Sequence, residues 1–88
     1  FYFRGPEGKL NLRAQNLAIF VQLAEGVDDE TWLHHLGKGE YSAWFRRAIK
    51  DEELAAEAAQ IEAEGGTAAA TRAAVRHAIE QRYTLTSG

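Results

Sequence analysis

The sequence predicts an all-α domain, an irregular or orthogonal bundle of about five short helices, with a short N-terminal strand or hairpin as a possible addition. Three observations predict it. Apolar residues recur at helical spacing through most of the chain, glycines and capping residues interrupt that pattern repeatedly, and the connections are only a few residues long. Short connections force neighbouring helices to pack on one another. At 88 residues the chain fits one domain, predicted to span 1–84, with 85–88 as a flexible tail.

The first ten residues are predicted to be a strand and turn that lead into the helices. Phe1 to Phe3 form an aromatic run typical of a strand, and Gly5-Pro6-Glu7-Gly8 has the composition of a tight turn. Lys9 to Leu12 then either pairs back as a hairpin or runs straight into a helix. A lone hairpin is marginally stable in water, so the strand is expected to lie on the helices.

Two helices are predicted in the next part of the chain. From Asn11 to Ala24 two apolar stripes lie side by side, which is typical of a central, buried helix. Asp28 is the predicted N-cap of a second helix, Asp29 to Leu36. Val27 and Trp32 flank that cap at the spacing of a hydrophobic staple, which supports a helix start at this point.

Three further helices follow. The third, about Tyr41 to Ile49, places its aromatic residues on one side and its arginines on the other. Asp51 is the predicted cap of the fourth helix, Glu52 to Glu64, and Thr67 that of the fifth, Ala68 to Tyr83. The last two helices are rich in alanine, so their apolar stripes are thin and their cores are expected to be weak.

Composition excludes several classes of protein. The chain has no cysteine, which removes disulfides, zinc–thiolate sites and thiol nucleophiles. No apolar run approaches the roughly 20 residues of a membrane-spanning helix. A net charge of −3 disfavours nucleic-acid binding, including a helix-turn-helix function. We therefore expect a cytoplasmic protein with neither nucleic acid nor membrane as partner. Because the chain begins at Phe1 without a methionine, we expect a piece of a larger protein.

The residues with chemically reactive or metal-binding side chains are better explained by structural roles. His34 and His35 are adjacent, so on a helix they point about 100° apart and lack the spacing of a metal-binding pair. The acids at 28–30 and 51–53 fit capped first turns of helices. Ser42 lies in no nucleophile elbow. No catalytic, cofactor-binding or metal-binding residue is therefore expected, and no cofactor in these 88 residues.

The aromatic residues offer a binding face instead. Most are expected in the core, with Tyr41 and Trp44 the most exposed. Basic residues cluster in the same half of the chain and predict an anion-binding rim beside the aromatics if they converge; they are Arg4, Lys9, Arg13, Lys38, Arg46 and Arg47. The candidate interaction or ligand face comprises Tyr41, Trp44, Arg46, Arg47, Arg13 and His35.

Four runs of the sequence carry a family resemblance: FYFRGPEGKLNLRAQNL, GVDDETWLHHL, GEYSAWFRRAIKDEELA and AIEQRYT. Together they resemble a helical C-terminal region that follows the catalytic domain in some bacterial haloacid-dehalogenase-like phosphatases. A looser likeness links the chain to small bacterial and archaeal helical domains of unknown function. The phosphatases use an aspartate nucleophile in a D-x-D-x-T/V loop with Mg²⁺. That loop is absent here, so the resemblance assigns no catalytic residue to this chain.

Two functions follow from these observations. The first is a non-catalytic accessory domain of a larger bacterial protein, which the resemblance implies is a phosphatase that holds the Mg²⁺ itself. Such a domain would cap the active site, form a homodimer or bind a regulator, with the catalytic domain or another protein as partner. The alternative is a standalone helical adaptor that binds a protein or a small anionic ligand through the aromatic and basic half.

Overall fold

The computed structural model describes residues 1–4 and 12–83, so the predicted turn at 5–8 and the predicted tail at 85–88 lie outside the described residues. It confirms the all-α bundle of short helices with a small hairpin in front. The elements in chain order are β1 (Tyr2–Phe3), β2 (Leu12–Arg13), α1 (Leu17–Gly26), α2 (Asp29–Gly37), α3 (Glu40–Trp44), a π-helical turn (Phe45–Ile49), α4 (Glu52–Glu64) and α5 (Ala68–Arg82).

The hairpin lies on the helices through one of its faces. β1 and β2 are antiparallel, with Tyr2 opposite Arg13. Phe1 and Ala14 extend the pairing, because the Phe1 amino terminus donates to the Ala14 carbonyl at 2.5 Å and the Ala14 N–H donates to the Phe1 carbonyl at 2.6 Å. Successive side chains of a strand point to opposite faces, so Phe3 is fully buried while Tyr2 is exposed. The strand predicted at the N-terminus therefore exists, and it pairs back as a hairpin.

Helix α1 begins later than predicted. The sequence pattern placed its start at Asn11, but the helix starts at Leu17. Asn16 has extended backbone geometry, and its side chain accepts a hydrogen bond from the Ile19 N–H at 2.9 Å, which makes it the N-cap. Leu12 and Arg13 pair with β1, and the extended backbone of a strand is incompatible with helical dihedral angles.

The predicted caps of the other long helices are confirmed. Asp28 accepts hydrogen bonds from the backbone N–H and the hydroxyl of Thr31, and these bonds lower the pKa of the Asp28 carboxyl. Asp51 caps α4 through the Leu54 N–H, and Thr67 caps α5. A carboxylate at an N-cap also interacts favourably with the helix dipole. These caps explain why the starts of α2, α4 and α5 were predicted correctly.

The predicted third helix is two elements. α3 has five residues and continues into a π-helical turn, where the backbone widens to i→i+5 hydrogen bonds. The turn ends at Lys50, whose left-handed φ of 64° stops the helix, and whose N–H donates to the Phe45 carbonyl. A regular α-helix from Tyr41 to Ile49 was therefore wrong at its C-terminal half.

Helix α3 receives its N-terminal cap from another helix. Its own N-cap residue, Gly39, has no side chain to accept a hydrogen bond. The Glu62 carboxylate of α4 accepts from the backbone N–H groups of Tyr41 and Ser42 instead, at 3.0 and 3.1 Å. Free N–H groups at a helix start need such acceptors, so this contact fixes α3 on α4.

Five aromatic side chains make the centre of the core and are fully buried: Phe3, Phe20, Trp32, Tyr41 and Phe45. The rings of Trp32 and Tyr41 stack with their centres 4.3 Å apart. Small domains gain much of their stability from such large buried rings. Val75, Ala78 and Ile79 make a buried apolar face of α5, and Tyr83 after it is half-buried, so this alanine-rich helix packs on the aromatic centre.

Arg72 of α5 holds the end of α1 against the start of α2. Its Nε donates to the Ala24 carbonyl at 2.7 Å, and another guanidinium nitrogen donates to the Val27 carbonyl. A third bond, of 2.7 Å, reaches the Asp29 carboxylate. The last carbonyls of a helix have no hydrogen-bond donor inside the helix. The Arg72 guanidinium donates hydrogen bonds to carbonyls at the end of α1.

Candidate ligand groove between the hairpin and helix α3

An open groove with a volume of about 760 Å³ lies between the hairpin and α3. We call it the hairpin groove. One wall, the hairpin wall, consists of Tyr2, Arg4, Arg13 and Gln15, all of which are exposed. The other, the helix wall, consists of Glu40, Ala43, Trp44 and Arg47. Phe1, Ala14 and His35 also line the groove and are more deeply placed.

The helix wall runs along one side of α3 and into the π-helical turn. Glu40, Ala43 and Trp44 have the i, i+3, i+4 spacing of one α-helical face, and Arg47 of the π-helical turn lines the same groove. The sequence predicted that Trp44 is partly exposed, and the structure confirms it. The indole stacks on the Phe20 ring at 5.3 Å and meets the Phe1 ring edge-on at 5.9 Å. Trp44 is therefore anchored on the core while it lines the groove.

The hairpin wall holds two positive charges at one aromatic ring. The guanidinium carbons of Arg4 and Arg13 lie 4.9 and 5.6 Å from the centre of the Tyr2 ring. Cations at this distance are attracted by the negative face of the ring. The Tyr2 side chain thus positions both guanidinium groups, and its exposed fraction of 44% leaves the cluster accessible to solvent.

His35 is a structural residue of the groove. Its Nε2 accepts a hydrogen bond from the Arg4 backbone N–H at 3.1 Å, so this nitrogen carries no proton. The neutral ring then has its proton on Nδ1, which donates to the Glu40 carboxylate at 2.7 Å. Both ring nitrogens thus make hydrogen bonds within the chain. The His35 side chain, of which 5% is exposed, links the end of β1 and the start of α3 to α2.

The structure brings four of the six predicted face residues to this groove and separates the other two. Arg13, His35, Trp44 and Arg47 line it. Arg46 instead forms an ion pair with Glu52 at 3.0 Å.

Tyr41, the other residue that does not line the groove, is fully buried, so its predicted exposure was wrong. Its hydroxyl donates to the Trp32 carbonyl at 2.9 Å, and burial raises the pKa of the phenol. The reason is that the hairpin and α2 cover the face of α3 on which Tyr41 lies.

The basic residues converge in part. Arg4, Arg13 and Arg47 meet at the groove, whereas Lys38 is not among its lining residues and Lys9 lies outside the described residues. Within residues 1–4 and 12–83, none of the three groove arginines forms an ion pair with a carboxylate. Their charge is therefore not neutralised by an acidic side chain of the described part of the chain.

Sequence reasoning missed six lining residues: Phe1, Tyr2, Ala14, Gln15, Glu40 and Ala43. Two signals in the sequence point to some of them. Strand alternation places Tyr2 and Arg4 on the face opposite Phe1 and Phe3, and helical spacing places Glu40 and Ala43 beside Trp44. No such signal exists for Gln15, because its position depends on how the hairpin packs.

The Ser42 hydroxyl donates to the Gly39 carbonyl at 3.2 Å and is part of the helix start. Within the described residues, no three His, Cys, Asp or Glu side chains are grouped as a metal site would need. Of the helices described, none has the length and apolar character to cross a membrane. Comparisons of the chain with protein-family models, with curated proteins and with solved structures found no match.

Proposed function

We propose that this chain is a non-catalytic helical accessory or interaction domain of a larger protein, and that the hairpin groove is its binding face for an anionic group. The observation that supports this most is the meeting of Arg4, Arg13 and Arg47 with Trp44 in one groove. Guanidinium groups present planar donors that match carboxylates and phosphates, and an anchored indole adds apolar contact area.

The roles of the polar side chains support the non-catalytic part of the proposal. His35 uses both ring nitrogens to hold elements together, and Ser42 donates to a helix-start carbonyl. Asp28 and Asp51 are helix caps. His35, Ser42, Asp28 and Asp51 thus each have a structural task.

The proposed parent is a bacterial haloacid-dehalogenase-like phosphatase, on the strength of the sequence resemblance alone. In that setting the Mg²⁺ belongs to the catalytic domain, and this domain caps the active site, makes a homodimer or binds a regulator. The proposal places the protein in the cytoplasm and gives it a protein partner, in keeping with a cysteine-free chain of net charge −3.

The test compares two proteins in a Mg²⁺-dependent phosphatase assay with an aryl phosphate: the 88-residue chain and the longer product of the same gene. Activity in the longer product alone is expected. Activity in the 88 residues would contradict the non-catalytic role. Inactivity of both would remove the phosphatase parent and leave the interaction domain.

The groove itself is tested by a double charge reversal, Arg13→Glu with Arg47→Glu, made in the longer product. We expect a changed activity, oligomeric state or partner binding. Arg46→Glu is the matched control, because Arg46 lies next to Arg47 in sequence but pairs with Glu52 away from the groove. Equal behaviour of both variants and the parent protein would contradict the groove as the binding face.

The alternative is a standalone adaptor that binds a protein or a small anionic ligand through the same groove. Titration of the 88-residue chain alone with phosphorylated metabolites, followed by Trp44 fluorescence, tests whether the groove binds a small anionic ligand without a parent protein. Because Trp32 is fully buried, a Trp44→Phe variant removes the signal of the groove and shows whether any change arises there.

A further inference from the structure

We infer that the occupant of the hairpin groove is an extended peptide segment with the pattern acidic–apolar–acidic. This inference rests on the proposed binding role of the groove and adds the chemical class of its partner. It follows from four features of the groove: its charge, its length, the position of its apolar surface and the direction of the β1 backbone.

The charge of the groove selects a short acidic partner. Among the lining residues in 1–4 and 12–83, three arginines face one acidic residue, Glu40, which is hydrogen-bonded to His35. The chain as a whole carries a net charge of −3, so a long polyanion would be repelled beyond the groove. A segment with a few carboxylates gains the local attraction without that long-range repulsion.

The length of the groove suits an extended chain. From Glu40 to Arg47 the helix wall rises somewhat under about 10 Å, because the π-helical turn after Trp44 rises less per residue than the roughly 1.5 Å of α3. An extended peptide covers that distance with about three residues, at roughly 3.3 Å each. The groove formed by the described residues is open to solvent, whereas sites for small molecules enclose most of the ligand surface.

One wall of the groove is positive and the middle of the other is apolar, and this difference predicts the sequence pattern of the bound peptide. Ala43 and Trp44 make the middle of the helix wall apolar, while Arg4 and Arg13 make the opposite wall positive. Side chains of an extended peptide alternate between two sides. Two acidic residues on one side therefore contact the arginines, and the apolar residue between them packs on Trp44.

The backbone of β1 offers main-chain partners at the same place. Phe1 and Ala14 exchange both hydrogen bonds, so the N–H and C=O of the next residue, Tyr2, point away from β2. The N–H and C=O of Tyr2 lie on the outer edge of β1. On the same edge, the Arg4 N–H donates to His35, and His35 lines the groove. A peptide that lies along this edge gains main-chain hydrogen bonds, as in other cases of strand addition.

The test is a titration of the full 88-residue chain with blocked synthetic peptides, followed by the indole N–H signals in two-dimensional NMR spectra. The probes are a hexapeptide centred on Glu-Phe-Glu, its Gln-Phe-Gln and Glu-Gly-Glu counterparts, and phenyl phosphate. We expect the first peptide to bind with a Kd on the order of 0.1–1 mM at low salt, to shift Trp44 and to leave buried Trp32 unchanged. The Gln-Phe-Gln and Glu-Gly-Glu peptides are each expected to bind at least about fivefold more weakly than the Glu-Phe-Glu peptide.

Variants decide whether the peptide is in the groove. The double variant Arg4→Gln with Arg13→Gln is expected to weaken binding about tenfold or more, while Arg46→Gln keeps it. Equal binding of the Glu and Gln peptides, or no peptide binding, would overturn the acidic-peptide inference. Binding of phenyl phosphate alone would also overturn it, but would leave an anion-binding groove as proposed. If no probe binds and the Arg13→Glu, Arg47→Glu variant of the longer protein also behaves like the parent protein, both the acidic-peptide inference and the proposed binding role of the groove are wrong.

Discussion

The indole nitrogen of Trp32 donates a hydrogen bond to the hydroxyl oxygen of Thr71 across 2.8 Å in the interior. The Thr71 hydroxyl in turn donates to the Thr67 carbonyl at 2.7 Å, one turn earlier in α5. The exposed fractions of Trp32 and Thr71 are 0% and 3%. A buried polar atom needs such a partner, so this chain of hydrogen bonds both ties α2 to α5 and makes burial of the large indole possible.

Replacing Thr71 by valine is predicted to lower the free energy of unfolding by about 1–3 kcal/mol, because the buried indole N–H loses its acceptor while the volume hardly changes. Urea unfolding followed by fluorescence measures the loss. Thr71→Ser is the control, since it keeps the hydroxyl and removes only a methyl group, at about 1 kcal/mol. A valine variant as stable as the parent chain would show that the hydrogen bond contributes nothing.

Removal of the Glu62 carboxylate is predicted to destabilise the start of α3, because the N–H groups of Tyr41 and Ser42 lose their acceptor. Glu62→Ala should cost about 0.5–2 kcal/mol of unfolding free energy, and Glu62→Gln less, since an amide oxygen still accepts. Glu64→Gln changes an exposed residue of the same helix and should stay within about 0.5 kcal/mol. Equal urea midpoints for the Glu62 and Glu64 variants would argue against this cap.

Asp51 is predicted to make stability depend on pH in acid. The Leu54 N–H, followed by the Tyr83 hydroxyl at 2.7 Å, lowers the pKa of its carboxyl in the folded chain. A group with a lowered folded pKa stabilises the fold above its unfolded pKa of about 3.9, and that contribution is lost as pH falls through the folded value. Asp51→Asn keeps a capping side chain and should flatten this part of the acid slope.

The measurement for Asp51 is the urea midpoint between about pH 6 and pH 2. The parent chain and Asp51→Asn should differ near neutral pH and converge in strong acid. Tyr83→Phe removes one of the two hydrogen bonds and should give an intermediate slope. Parallel curves for all three proteins across the range would contradict the prediction.

His35 is predicted to hold the hairpin on the helices. His35→Ala removes the acceptor of the Arg4 N–H and the donor to Glu40, and it opens space beneath β1. We expect a loss of about 2–3 kcal/mol in unfolding free energy and faster amide exchange in β1 than in α5. His34→Ala, one position away and only half-buried, is the control. Unchanged exchange at Arg4 in the His35 variant would rule out this role.

Local chemistry made much of the fold predictable. Asp28, Asp51 and Thr67 are caps that act within four residues of their helices, so the sequence alone located the starts of α2, α4 and α5. The start of α1 was missed because leucines of the preceding segment continue the helical spacing. Pairing with β1 overrides that spacing, and pairing is a contact between distant residues.

The groove was predictable only in part, for a similar reason. A helical wheel shows that Tyr41 and Trp44 lie near each other, but not which of them the hairpin and α2 cover. Arg46 and Arg47 are likewise neighbours in sequence, yet one pairs with Glu52 and the other lines the groove. Packing between elements decides such cases, and its signal in one sequence is weak.

The contacts of Arg72 have a consequence for the order of folding. They join α5 to the end of α1 across 48 residues of chain, and closing so long a loop costs conformational entropy that nearer contacts avoid. We expect these bonds to form after the transition state, so that Arg72→Met accelerates unfolding and leaves the refolding rate nearly unchanged. Stopped-flow experiments in urea measure both rates, and a slower refolding limb would place Arg72 in the nucleus instead. If the refolding rate is unchanged, Arg72 lengthens the lifetime of the folded chain without affecting how fast the chain folds.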